Sequence, residues 1–286
     1  MAQSGQNSSD GYALLAPALV VMGIGLAAPL LLLVLTSLKD QSGLTFSHGW
    51  TLHQYGEALG RTSYRLLFVR SVLISASVTL VTVALAYPMA YFVAFHARHK
   101  FIWLVALTIP FWTSYLLRVF AWKIILGYNG VINSALVRLH LIDHPLEFLL
   151  YNPFAVVVTL AHAWAAFAIL PIYVSLEKID RSLLEAASDL GDNALRRFVR
   201  VTLPLSLPGV IGASILIFVP TTGDFVTPQL VGGTRGTMIA NLIEVQFNSV
   251  GNWPLGAALS LVSMAMVAVI AGLFVASLRA AAQRIR

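Results

Sequence analysis

EKIDRSLLEAASDLGDNALRRFVR, running from Glu177 to Arg200, holds ten of the chain's 30 charged side chains (18 Lys and Arg, 12 Asp and Glu) and lies between two stretches that have none. Phe148–Leu176 before it and Val201–Gly223 after it contain no Asp, Glu, Lys or Arg. About 18 such residues suffice for a bilayer-spanning helix, so the segment reads as a water-exposed loop joining two membrane spans. Four further uncharged stretches repeat the pattern: Gly11–Leu38, Ser71–Phe95, Phe101–Leu117 and Val245–Leu278. The six together take up more than half of the chain, which leaves every charge on the remainder. That remainder has the charge density of a soluble protein, whereas the chain as a whole, at 10%, falls far below the usual ~25%.

With 58% hydrophobic residues arranged this way, a soluble enzyme, a disordered chain and a nucleic-acid binder are excluded. The reading is an all-α integral membrane protein, a single transmembrane domain over residues 1–286. Its six spans are expected at about 12–38, 69–95, 101–126, 153–176, 203–223 and 253–278, with a loop at 177–200. The third span is carried through Arg118 and Lys123. At ~1.5 Å per residue Arg118 lies roughly 25 Å along a helix begun at Phe101, where a long cationic side chain reaches the headgroups or an ion pair. The first span is not read as a cleaved signal, because no Lys or Arg precedes it and its apolar run is about twice the usual length.

Six spans place loops 96–100 and 177–200 and the C-terminus on the side of the N-terminus. Those segments carry Arg98, Lys100, Lys178, Arg181, Arg196, Arg197, Arg200, Arg279, Arg284 and Arg286, against Lys39, Arg61, Arg65, Arg138 and Arg235 opposite. The excess of basic residues predicts both termini in the cytoplasm. It also accounts for the net charge of +6 without nucleic acid as a partner.

Several chemistries lack their residues. There is no cysteine, no G-x-x-x-x-G-K-[ST] phosphate loop, no HExxH and no GxSxG. His140 and His144 are four apart but have no further ligand in evidence, so no metal site is expected. The uncharged stretches contain no acid for a proton relay. His162 alone lies mid-span, where it suits either an inter-helix hydrogen bond or a pathway role.

Within the charged loop, Ile179, Leu183, Ala186, Ala187 and Leu190 fall on one helical stripe. Ser182 and Glu185 have capping-box spacing, Gly191 ends the helix, and Asp192 is placed to cap a second helix over 193–201. Two adjacent alanines on an otherwise charged helix let another surface approach closely. A docking element for a soluble partner is the physical reading.

Glu185-Ala186-Ala187, three residues, Gly191, nine residues, then Val201-x-Leu203-Pro204 resembles the EAA motif of permease subunits in ATP-binding-cassette importers, with Val201 in place of the usual isoleucine. Ile109–Leu126, Leu176–Gly191, Gly223–Gly233 and Val245–Ala258 are similar to spermidine/putrescine permeases of the PotB type. The resemblance runs from about Leu14 to the end. It implies the type I importer permease fold, a multi-pass place in the bacterial inner membrane, and ATPase coupling through Glu185, Ala186, Ala187 and Gly191. It further implies two copies of an ATPase subunit that bind ATP and Mg, a second related permease chain, and a periplasmic binding protein. This chain then performs no catalysis and needs no cofactor of its own. Permeases for opines, 4-aminobutyrate and other amine-bearing solutes are similar in the same regions. A stand-alone secondary carrier is the alternative of another class.

A polycation crossing a greasy barrier is served by aromatic faces and a few acceptors. Phe111, Trp112 and Tyr115, beside Pro110, and Asp224, at the end of span five next to Thr221 and Thr222, are the candidates for the solute pathway. The aromatic trio equally suits ordinary packing, and Asp224 a cap after Gly223. Asp143, Glu147 and Glu244 lie in the other loops, where a binding protein would dock.

Overall fold

A computed structural model describes residues 8–43, 45–46 and 49–285; Arg286, counted above for orientation, lies outside them. Helix α1 (Ser8–Ser37) is apolar on every side and exposed along most of its length, which in a membrane protein means lipid or a partner chain around it. A hairpin follows, β1 (Gln41–Ser42) paired antiparallel with β2 (Thr45–Phe46). The Gln41 amide donates to the Gly251 carbonyl (2.7 Å) and accepts from the Trp253 N–H (3.1 Å), pinning the hairpin to the start of the last helix.

The chain continues through α2 (His53–Gly60) and α3 (Thr62–Phe95), then α4 (Lys100–Thr108), α5 (Tyr115–Leu126) and α6 (Val131–Arg138). After these come α7 (Pro153–Glu177), α8 (Arg181–Asp189), α9 (Ala194–Arg197) and α10 (Leu203–Thr222). The short α11 (Gly233–Gly236) and α12 (Ile239–Val245) precede α13 (Trp253–Ile285). Among the described residues six helical runs are long and apolar enough to cross a bilayer: Leu15–Ser37, Thr62–Phe95, Tyr115–Arg138, Pro153–Glu177, Ala194–Thr222 and Trp253–Ser277.

Three of these differ from the charge-pattern reading, the second by starting at Thr62 rather than about residue 69, so that Arg65 and Arg70 fall inside its first turns. The stretch 101–126, expected as one helix, is two. Pro110 removes a backbone donor, α4 tightens into a 3-10 turn over Ile109–Trp112, and Thr113 and Ser114 are extended before α5 starts at Tyr115. The fifth span begins earlier than expected. Helix α9 passes through one wide π turn, Phe198–Thr202, directly into α10, so 194–222 is one rod. The π turn sits just ahead of Pro204, whose ring would clash with a carbonyl one α-turn back.

The core is the trio α3, α7 and α10. Lipid tails are as apolar as leucine, so these helices gain from close packing and buried hydrogen bonds rather than from leaving water. Ala86, Ala90 and Ala94 line one face of α3 at four-residue spacing, and all three are buried. Hydroxyls bridge the trio: Thr222 donates to the Ser75 hydroxyl (3.1 Å) and Tyr87 bonds the Ser206 hydroxyl (2.8 Å). The Ser71 hydroxyl accepts from the Ile239 N–H (2.7 Å), fastening α12 to α3.

Contact between α10 and α7 is closest at Gly209, where an added Cβ would lie 2.5 Å from the Pro171 carbonyl oxygen and 2.5 Å from Ser175 Cβ. Gly209→Ala sets a helix-propensity gain of about 1 kcal/mol against an overpacking cost of ~1–3 kcal/mol. The clash is with backbone and wins. The expected outcome is a lower thermal unfolding midpoint of the detergent-purified protein, while Gly212→Ala, where nothing lies within 4 Å, raises it or leaves it unchanged.

Candidate functional site

Polar side chains gather at two places, the C-terminal end of α10 and the charged loop. At the first, α10 ends at Thr222 and the backbone turns at Gly223. Asp224 caps the helical turn that follows: Oδ1 accepts from the N–H of Val226 (3.0 Å) and of Thr227 (3.4 Å). Its Oδ2 accepts from the Tyr115 hydroxyl (2.5 Å), which also bonds the Thr227 hydroxyl (2.5 Å). The first residue of α5 is thereby tied to the end of α10, and Asp224 holds the cap position that its place after Gly223 suggested.

A cleft of about 360 Å³ opens here, lined by Tyr115 and Arg118 of α5, Ala163, Trp164 and Phe167 of α7, and Pro220 and Asp224. Arg118 is not where the single-helix reading put it. Because the helix is interrupted at Thr113 and Ser114, Arg118 falls in the first turn of α5 and faces inward. Its guanidinium lies 5.2 Å from the centre of the Phe111 ring, and none of the ion pairs among the described residues includes it.

Phe111, Tyr115 and Asp224 are thus brought to one region. Trp112 is not, being 83% exposed on the far side of the 3-10 turn. The His162 ring lies 5.6 Å from those of Phe111 and Trp122, tilted against the first and edge-on to the second, which joins it to the same aromatic group. Trp164 and Phe167 were missed in the sequence. Their i, i+3 spacing is a signal, but on an all-apolar helix it looks the same as packing.

In the charged loop, Asp180 rather than Ser182 caps α8, its carboxylate accepting from the Ser182 N–H (3.0 Å). That backbone bond, with the Ser182 side chain, holds the Asp180 carboxyl below its ordinary range. The cap is therefore complete above the usual carboxylate pKa and is lost as pH falls through the lowered one. Helix α8 ends with Gly191 at φ +86°, and the N–H groups of Gly191 and Asp192 bond the carbonyls of Ser188 (2.9 Å) and Ala187 (3.0 Å). The second helix is capped by Asn193, accepting from the Arg196 N–H (2.9 Å). Asp192, expected as that cap, instead pairs with Arg200 (3.0 Å), and Arg197 donates to the Ser188 hydroxyl (2.5 Å).

Of the four candidate coupling residues, Glu185, Ala186 and Gly191 are exposed and Ala187 is buried. Leu190 and Leu195 flank the glycine turn at 88% and 71% exposure, an apolar patch on an otherwise charged surface. Among the described residues no group of three or more His, Asp or Glu side chains is placed to hold a metal ion.

Residues 58–286 match the family of binding-protein-dependent transport system inner membrane components, and the chain belongs to that family. It is a permease subunit of an ATP-binding-cassette importer, a multi-pass inner-membrane protein. It is 36% identical over 236 residues to the spermidine/putrescine transport system permease protein PotB of Escherichia coli (strain K12), covering 82% of this chain and 85% of that one. The inner membrane ABC transporter permease protein YdcU of the same organism is 34% identical over 215 residues, covering 71% and 68%. A chain of a bacterial ABC transporter involved in import of the acidic polysaccharide alginate has the same fold, with a TM-score of 0.68 at 16% identity over 96% of this chain and 95% of that one.

Asp224 as a cap leads to a stability test. Asp224→Ala should cost about 1 kcal/mol, read as a lower thermal midpoint in detergent, because two backbone donors lose their acceptor. Asp224→Asn should cost less, since its amide oxygen still caps Val226 and Thr227.

Proposed function

We propose that this chain forms half of a translocation pore for polyamines, spermidine or putrescine, with both termini in the cytoplasm and the 177–200 loop as the element that receives force. The similarity to spermidine/putrescine permeases over more than four fifths of the chain carries this reading. A second, related permease chain completes the pore, two ATPase subunits bind ATP and Mg, and a periplasmic binding protein delivers the solute. Asp143, Glu147 and Glu244 are its candidate contacts.

Glu185, Ala186 and Gly191 form the part of the loop that an ATPase cleft grips, with the buried Ala187 packing that helix onto its own chain. Closure of the ATPase moves α8, α8 moves α9 through the Arg197–Ser188 contact, and Asp192 in the turn between them pulls on Arg200 in the π turn. Helix α9 is continuous with α10, a 29-residue rod about 40 Å long that ends two residues before Asp224. Displacement of the loop thus arrives at the cleft, where Asp224 and the faces of Phe111 and Tyr115 suit an ammonium group. Trp112, exposed in the single chain, is a pathway residue on this reading only from the second permease side.

Coupling is tested by Glu185→Lys and Gly191→Val. Both should abolish uptake at unchanged membrane levels, the second because a β-branched residue at φ +86° is strained. Normal uptake by both would exclude the coupling role. For the cargo, the ATPase activity of the assembled importer in liposomes, stimulated by its binding protein, should respond to spermidine or putrescine. Asp224→Asn should reduce that stimulation roughly ten- to hundredfold, the loss expected for one charge-assisted hydrogen bond of ~1.5–3 kcal/mol. Uptake by this polypeptide without any ATPase would favour a stand-alone carrier instead.

A further inference from the structure

Helix α13 stands off from α10 and leaves a crevice in two parts, with Ala271 in the wall of both. The part nearer the charged loop holds about 360 Å³ between Val83 of α3, Val210 and Phe218 of α10, and Ile270 and Phe274 of α13. The other holds about 670 Å³ and ends at Glu244 of α12 and Phe247 and Asn248 of the turn after it. From Ser260 to Phe274 the crevice follows α13 for roughly 21 Å at ~1.5 Å per residue, more than half of the ~30 Å hydrocarbon core. It opens sideways, since Leu80 and Met264 in its walls are 72% and 49% exposed.

The walls ask for no water. The Thr79, Ser214 and Ser260 hydroxyls are each returned to a carbonyl of their own helix, at 2.7, 2.8 and 2.8 Å, and most of the other lining groups are apolar. A second transmembrane helix does not fit either. One helical turn, about 5.4 Å long and ~10 Å across, fills roughly 420 Å³, more than the smaller part contains. An unbranched acyl chain, one methylene wide, suits such a slot.

Charge decides which lipid. Glu244 lines the same cavity as Ser260, about two turns into α13, so its carboxylate lies below the membrane surface. Asn248 donates to its Oε1 (3.3 Å), and none of the ion pairs among the described residues includes it. A carboxylate at that depth calls for a cation.

We propose that the crevice between α10 and α13 holds an aminophospholipid, with one acyl chain along α13 and the primary ammonium of the headgroup on Glu244. The ammonium brings both a positive charge and N–H donors, which makes a charge-assisted hydrogen bond. A choline headgroup has the charge without a donor, and a glycerol headgroup leaves the lipid anionic and repelled. This site does not rest on the polyamine reading. A lipid on Glu244 excludes the binding-protein contact offered for that residue above, whereas Asp143 and Glu147 line no part of the crevice.

The importer, assembled with its second permease chain and ATPase, is stripped of lipid in detergent. It is then offered phosphatidylethanolamine, phosphatidylcholine and phosphatidylglycerol in equal amounts with the same acyl chains, and the lipid retained after washing is counted by mass spectrometry. The unaltered protein should retain phosphatidylethanolamine over phosphatidylcholine by roughly tenfold or more, the ratio one charge-assisted hydrogen bond supplies, and this comparison needs no variant to fold. Glu244→Gln should bring the two lipids to parity. Ala271→Leu, where the two parts meet, should lower the retention of both severalfold. Equal retention by the unaltered protein, a preference for phosphatidylglycerol, or no retained lipid because the second permease chain covers the crevice overturns the site. An unchanged lipid ratio in Glu244→Gln also overturns it, and weaker association of that variant with the binding protein would then make the residue a docking contact.

Discussion

The helix from Ala194 to Thr222 runs without a break from the most charged segment of the chain to the cleft. The rest of the architecture depends on its stiffness. On the proposed coupling the loop at 177–200 takes motion from an ATPase subunit, and a broken fifth span would absorb that motion in its joint. Pro204 and Pro208 sit in this rod, each lacking a donor, and the chain stays helical by widening to a π turn over Phe198–Thr202. The glycine is placed outside the rod, at 191, where a sharp reversal is required and φ is positive.

Rigidity also needs the rod to be held by its neighbours, and in lipid the hydrophobic effect does not hold helices together. What holds α10 is close approach at Gly209 and a few buried hydroxyls, Thr222 to Ser75 and Ser206 to Tyr87, each replacing an otherwise unmet polar group in the bilayer. These contacts tie α10 to α3 and α7, and leave α1 and much of α13 with exposed apolar faces. A single chain with that much uncovered apolar surface is suited to lipid and to a second permease subunit.

The sequence was readable where physics acts on composition. Uncharged runs long enough to cross a bilayer marked the membrane segments, and the loop at 177–200 stood out because a third of all the charges crowd into it. Local capping was less readable: Ser182 and Asp192 have the right chemistry, but Asp180 and Asn193, equally good caps two and one residues away, take the positions. The cleft was the least readable. Its floor depends on one proline, Pro110, ending α4 early enough to put Arg118 in the first turn of a new helix, and a hydropathy pattern carries no direction for that turn. Trp164 and Phe167 became candidates only through what faces them.

Asp224 carries two roles that motion would separate. Its Oδ1 is bound by N–H groups of the turn that follows α10, so that half of the carboxylate travels with α10. Its Oδ2 is bound by a hydroxyl on α5, across the chain break at Thr113 and Ser114. Any shift of α10 against α5 therefore acts on the Tyr115 bond and spares the cap. Breaking that bond frees a second lone pair on Oδ2 and makes the carboxylate a better cation acceptor, while the backbone that presents it stays folded. On the proposed coupling, a movement begun at Gly191 would thus change how many acceptor positions Oδ2 offers in the cleft without changing which residues line it.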